Sequence, residues 1–128
     1  MSLVLIIEDD QNLREGLELL FQIEGYDTSG ASNGRTGLEL VHREEPDVVI
    51  TDYEMPNADG LEVVRAIRAD EDVGHTPVVF LTADHSPAIR KQAMQVGVDA
   101  FITKPFRTEQ LLGKVADFAA RNNGGGSH

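Results

Sequence analysis

The sequence predicts an α/β domain: one parallel sheet with helices on both faces. Three observations carry that reading. Five short runs rich in apolar and β-branched residues alternate strictly with five stretches whose apolar residues recur every three or four positions. The clearest of these runs, Leu3-Val4-Leu5-Ile6-Ile7, is continuously apolar rather than alternating, as expected of a strand buried on both faces. Four runs end in a charged or hydroxyl side chain, and parallel strands deliver such ends to one edge, where open α/β sheets bind ligands.

Ser2 to Ile7 is the first strand, and it ends in Glu8-Asp9-Asp10. Leu13, Leu17, Leu20 and Phe21 then mark an amphipathic helix over Gln11 to Glu24, with Asp9 or Asp10 as N-cap and Gly25 as the stop. Tyr26 to Ala31 is a weaker second strand. Gly30 and Gly34 bracket Ser32-Asn33 before a short helix marked by Leu38, Leu40 and Val41. That helix ends ahead of Pro46, because proline pushes its predecessor out of helical geometry. Val48 to Thr51 is the third strand; it runs into Asp52 and a turn-forming stretch, Tyr53 to Asp59, closed by Gly60. Leu61, Val63, Val64 and Ile67 give the next helix its stripe, and the charged tract Arg68 to Asp72 leads into a loop.

Val78 to Leu81, entered through Pro77, is the fourth strand, and it ends in Thr82-Ala83-Asp84. Ser86-Pro87 supplies an N-cap and a proline at the first helical position for a helix carrying Ile89, Ala93, Met94 and Val96 as far as Gly97. Ala100 to Ile102 is a short fifth strand, ending in Thr103-Lys104-Pro105. Thr108 is expected to cap a last helix with Leu111, Leu112, Val115, Phe118 and Ala119 inward. Residues 1–121 read as one domain, and Asn122 to His128 as a flexible tail or linker remnant.

Composition narrows the function classes. At 128 residues a single core can bury about two-thirds of the unfolded surface without staples. The chain has no cysteine, which removes disulfides and thiolate metal sites and fits a cytoplasmic protein. No apolar run approaches the length of a membrane span, and the Met-Ser-Leu start lacks a signal-peptide pattern. With 22 acidic against 11 basic residues the formal charge is -11, which argues against direct nucleic-acid binding.

The strand ends carry the chemistry. If the sheet is parallel, Glu8, Asp9, Asp52, Thr82 and Lys104 gather at one edge. Taken singly, each has an ordinary reading as a helix cap, a turn former, a satisfied strand hydroxyl or a solvated lysine. Together they form an acidic pocket with one ammonium. Two like charges about 4 Å apart repel by roughly 4 kcal/mol at an effective dielectric of 20, so the pocket favours a hard divalent cation. Asp9, Asp52 and Glu8, with the main-chain carbonyl of Glu54, suit magnesium, with manganese the alternative. The four histidines lack zinc-ligand spacing.

These motifs resemble the response-regulator receiver domain of two-component signalling, the family that includes the chemotaxis response regulator. The resemblance runs from Leu3 to Arg121. It rests on Leu-Ile-Ile-Glu-Asp-Asp at the first strand end, Asp52 with Met55-Pro56 and Asp59-Gly60, Leu81-Thr82-Ala83, and Thr103-Lys104-Pro105-Phe106. It implies a flavodoxin-like doubly wound (βα)5 fold with strand order 2-1-3-4-5. It also implies that Asp52 takes a phosphoryl group from a phosphohistidine on a sensor histidine kinase or phosphotransfer protein, with Mg2+. Lys104 and Thr82 would then contact the phosphoryl oxygens. Thr82 and Phe101 would form the switch that alters the surface of the fourth helix, fifth strand and fifth helix toward an effector or a second copy. The family implies a signalling domain that promotes its own phosphorylation and dephosphorylation rather than an enzyme, and a cis Lys104-Pro105 bond. Phe101 stands where tyrosine is also familiar, and Glu54 and Asp84 lie where side chains influence dephosphorylation.

Three rivals remain. A non-phosphorylated interaction domain of the same fold would lack Asp52 or Lys104, and both are present. An aspartate-nucleophile phosphatase could use Glu54 two residues on, but the chain has no room for a cap domain. A nucleotide enzyme would need a glycine-rich phosphate loop after the first strand, and there is none.

Overall fold

The computed structural model describes residues 2–53, 60–84 and 86–126, the last five by backbone alone. Strands β1 (Leu3–Ile7), β2 (Asp27–Ala31), β3 (Val48–Asp52), β4 (Val78–Thr82) and β5 (Ala100–Thr103) alternate with helices α1 (Gln11–Ile23), α2 (Gly34–Glu44), α3 (Gly60–Ala69), α4 (Pro87–Val96) and α5 (Thr108–Gly126). All neighbouring strands are parallel, in the order β2-β1-β3-β4-β5. The fold class and strand order are those expected.

Side chains alternate across the sheet and build a core on each face. Leu5, Ile7, Val49, Val78 and Phe80 pack against Leu40, Val41, Val63, Val64, Ile67 and Ala93 of α2, α3 and α4. Val4, Ile6, Val48, Ile50, Val79, Leu81 and Ile102 pack against Leu17 and Phe21 of α1 and Leu111, Val115, Phe118 and Ala119 of α5. Burial on both faces explains why β1, β3 and β4 read as uninterrupted apolar runs. α2 lies close on β1: a Cβ at Gly37 would come within 2.4 Å of the Ile7 side chain, which would have to shift to admit it.

Several boundaries differ from expectation. Tyr26 is not in β2. Its N–H donates to the Phe21 carbonyl at 3.0 Å and its ring meets Phe21 edge-on at 5.6 Å, so it closes the turn instead. Thr108 is the first residue of α5 and not its cap; the amides of Gln110 and Leu111 both donate to the Arg107 carbonyl. α5 also continues to Gly126, into the stretch expected to be a tail. Glycine weakens a helix by about 1 kcal/mol per residue but does not stop one as proline does. The caps at Asp10 and Ser86 are as expected, accepting from Leu13 and Ile89 amides at 3.1 and 3.2 Å.

Away from the acidic edge, α2 is tied to the segment after α3 by His42. One ring nitrogen faces the Leu38 carbonyl at 2.8 Å and the other the Asp70 carboxylate at 2.7 Å, so both are satisfied as donors only in the imidazolium. The Leu38 carbonyl first, and then Asp70, raise the His42 pKa above its ordinary value, and His42 lowers that of Asp70. A raised histidine contributes its stability below the unfolded value near 6.5 and loses it as pH rises through the folded value. An NMR titration should find His42 titrating above the ordinary histidine value, and Asp70→Asn should bring it down. An unmoved His42 would show that the contact is unoccupied in solution.

Candidate functional site

β1 and β3 are adjacent, yet the chain leaves β1 toward β2 on one side and leaves β3 toward β4 on the other. The loops beyond them diverge and open a crevice at their C-terminal ends, the position where doubly wound sheets bind ligands. Glu8 and Asp9 follow β1 directly, and Asp52 is the last residue of β3.

Each acidic group is held differently. The Glu8 amide donates to the Ala31 carbonyl at 2.9 Å, extending the β1–β2 ladder by one residue. Its side chain is buried and accepts from the Asp10 amide at 3.1 Å and from Lys104 Nζ at 3.2 Å. Arg14 Nη1 donates to the Glu8 carbonyl at 2.8 Å and fixes the turn. Asp9 is exposed. Asp52 is buried, opposite Leu81 of β4, and accepts from Lys104 Nζ at 3.1 Å. Carboxylate oxygens of Glu8, Asp9 and Asp52 all lie within 4.8 Å of one another, so the cluster could hold a metal ion. The three donors are hard carboxylate oxygens.

Lys104 reaches this cluster from the end of β5. Its amide donates to the Thr82 carbonyl at 2.7 Å, continuing the β4–β5 ladder, and the peptide bond to Pro105 is cis. Thr82 is fully buried and its hydroxyl accepts from the Asp84 amide at 3.0 Å. Phe101 lies outside the acidic cluster. It is paired with Phe80, two residues before Thr82, so Thr82, Phe80 and Phe101 share one sheet face. The Phe101 ring is 6.4 Å from Phe80 and 5.7 Å from the Arg90 guanidinium. Glu54, with its expected carbonyl ligand, lies outside the described residues, as do Met55, Pro56 and Asp59.

Gly60 opens α3 directly beneath the site. A Cβ there would approach the Asp52 carbonyl to 2.6 Å and the Phe80 ring to 2.9 Å, so the close approach requires glycine. Arg14 was not legible as a site residue, since nothing in its spacing marks a hydrogen bond to a carbonyl six residues back.

The electrostatics follow from burial. Burial pushes the Glu8 carboxyl up to about 7; the Asp10 amide opposes this, whereas Asp9 and the charge on Asp52 add to it and Lys104 counters. For Lys104, burial works against the charge, but Asp52 and then Glu8 outweigh it and hold the ammonium above the ordinary lysine value. A carboxyl raised on folding destabilises its ionised form. The protein is therefore favoured below the unfolded value of 4.5 and loses stability as pH rises through about 7. Glu8→Gln should thus stabilise the protein in chelator by about 2–3 kcal/mol at pH 8 and by little at pH 4.5. Urea unfolding at the two pH values checks this, and an equal effect at both would contradict it.

Among the described residues, no helix is long and apolar enough to cross a membrane. Comparisons with known proteins agree with the geometry. The chain is similar to the receiver domain of Francisella response regulator 1452, with 29% identity, a TM-score of 0.88, and coverage of 94% of this chain and 98% of that one. It is similar to the chemotaxis response regulator CheY4 of Vibrio cholerae at 31% identity and a TM-score of 0.86, covering 92% and 98%. A signal receiver domain of a histidine kinase from Syntrophus aciditrophicus matches at 30% identity and a TM-score of 0.88, covering 94% and 91%. Residues 4–116 match the family described as response regulator receiver domain. With its parallel sheet, its strand order and the acidic cluster typical of a phosphoacceptor site, this chain belongs to the response regulator receiver domain family of two-component signalling, whose members in general work with a histidine kinase.

Proposed function

We propose that Asp52 is the phosphoacceptor and that its phosphorylation switches a partner-binding surface. The observation that carries this is Lys104 Nζ lying 3.1 Å from Asp52 and 3.2 Å from Glu8, which places a fixed cation beside an aspartate at the end of a central strand. A carboxylate oxygen of Asp52 attacks the phosphorus of a kinase or phosphotransfer-protein phosphohistidine. The new O–P bond forms as the P–N bond breaks, and the electron pair goes to the imidazole nitrogen, which takes up a proton. Lys104 offers a point charge to a phosphoryl oxygen, and the Thr82 hydroxyl, released from the Asp84 amide, offers a donor. Glu8, Asp9 and Asp52 would hold magnesium, which when bound neutralises charge on the phosphoryl oxygens. We place the reaction in the cytoplasm, with an effector protein or domain, or a second copy of the chain, as the reader of the altered surface.

The test is intact mass after incubation with magnesium and a small acyl-phosphate donor. A gain of one phosphoryl group that disappears in chelator supports the reading. No gain from any donor by folded protein would overturn it in favour of a constitutive interaction domain.

A further inference from the structure

A continuous set of hydrogen bonds leads from Thr82 into α4. The Asp84 amide donates to the Thr82 hydroxyl at 3.0 Å, the Ser86 amide donates to Asp84 Oδ1 at 2.8 Å, and Ser86 caps α4 through the Ile89 amide at 3.2 Å. The next residue of that first turn is Arg90, whose amide bonds the Ser86 carbonyl at 3.3 Å. Its guanidinium lies over the Phe101 ring, 5.7 Å from the centroid, and the Phe80 ring is 6.4 Å from that of Phe101. Phe101 is half-buried on the edge strand β5 and borders a cavity of about 300 Å³ shared with Arg90, Met94 and Lys114. The ring therefore has free volume beside it. At the far end of α4, the Gly97 carbonyl accepts twice from Arg68, at 3.1 and 2.8 Å, so the helix is anchored there.

We propose that Arg90 is a positioning residue that couples Phe101 to Thr82 through the first turn of α4. Resting on the phosphoacceptor reading above, this names the part that transmits its switch. While the Thr82 hydroxyl holds the Asp84 amide, α4's first turn is fixed and Arg90 keeps the ring beneath it. When the hydroxyl turns away, the Asp84 amide and the Ser86 cap bonded to Asp84 are released and the cation leaves the ring. A helix pinned at Gly97 then moves most at Arg90's end.

The experiment reads the Phe101 ring by aromatic NMR in unphosphorylated protein, with the variants Arg90→Met, Arg90→Lys and Thr82→Val, and the pair Thr82→Val with Arg90→Met. Methionine keeps apolar bulk without charge, and lysine keeps the charge. Arg90→Met should change the ratio of ring conformers about two- to fivefold, the strength of an exposed cation–π contact, and Arg90→Lys should restore most of it. Thr82→Val should shift the ring in the parent but not in the Arg90→Met background, the non-additivity expected of coupled residues. An unchanged ring in Arg90→Met, or an equal Thr82→Val effect in both backgrounds, would overturn the proposal. Phosphoryl uptake is not the readout, so failure here is distinct from failure of the Asp52 assignment, which the mass experiment reports.

Discussion

Asp52→Asn is expected to abolish phosphoryl uptake while leaving the protein folded. The asparagine amide is isosteric and can still accept from Lys104, whose other partner, Glu8 at 3.2 Å, is untouched. What disappears is the negative, nucleophilic oxygen. An amide oxygen carries no full charge and an amide nitrogen has its lone pair delocalised, so neither forms a stable bond to phosphorus under these conditions. The substitution also removes one of three mutually repelling carboxylates from a cluster whose oxygens lie within 4.8 Å of one another, so divalent cation affinity should fall by an order of magnitude or more, ~10-fold. Uptake and metal titration measured on the same sample separate these effects. Uptake at saturating magnesium equal to the parent's would move the acceptor role to another carboxylate.

Arg68→Ala is expected to cost about 3 kcal/mol of stability, or about 10 °C in Tm, with no effect on the chemistry at Asp52. Arg68 sits at the end of α3, and its guanidinium donates to the carbonyls of Gly97, Gly74 and Thr76 and to the Asp99 carboxylate, at 2.6 to 3.1 Å. Asp99 in turn accepts from the Val78 amide at 2.8 Å. One side chain thus joins α3, the end of α4 and the entries to β4 and β5. Removing it leaves several part-buried carbonyls without a donor, a loss larger than that of any one contact. Arg68→Lys should recover less than half, since an ammonium cannot span the same fork of acceptors. Urea unfolding measures this; a loss below about 1 kcal/mol would mean that water replaces the guanidinium at little cost.

Arg68 also marks a limit on what the sequence tells. In the chain it is the first charge of a polar tract and reads as solvated, because its partners at Gly97 and Asp99 are 29 and 31 residues away. Arg90 and Arg14 also escape notice: an arginine's contacts depend on which elements end beside it, and local periodicity carries nothing about that. The strands were legible because burial on both faces demands continuous apolar runs, which β1, β3 and β4 have. β2, Asp-Thr-Ser-Gly-Ala at the sheet edge, is polar because one side is open, and its start was misplaced at Tyr26. The meeting of Glu8, Asp9, Asp52 and Lys104 was legible from a single assumption, parallel strands, since all four follow or end strands. Phe101 and Thr82 share a face because strand side chains have a period of two. The hydroxyl's commitment to the Asp84 amide has no counterpart in the sequence, since a buried threonine can bond in several directions.

Whether Asp52 itself carries the phosphoryl group can be read from the bond it forms. After incubation with magnesium and an acyl-phosphate donor, hydride reduction converts an aspartyl phosphate into the corresponding alcohol, which peptide mass mapping locates. One converted position is expected, residue 52, absent from chelator-treated protein. Conversion at Asp9 or Asp84 instead, or at residue 52 equally without metal, would contradict it.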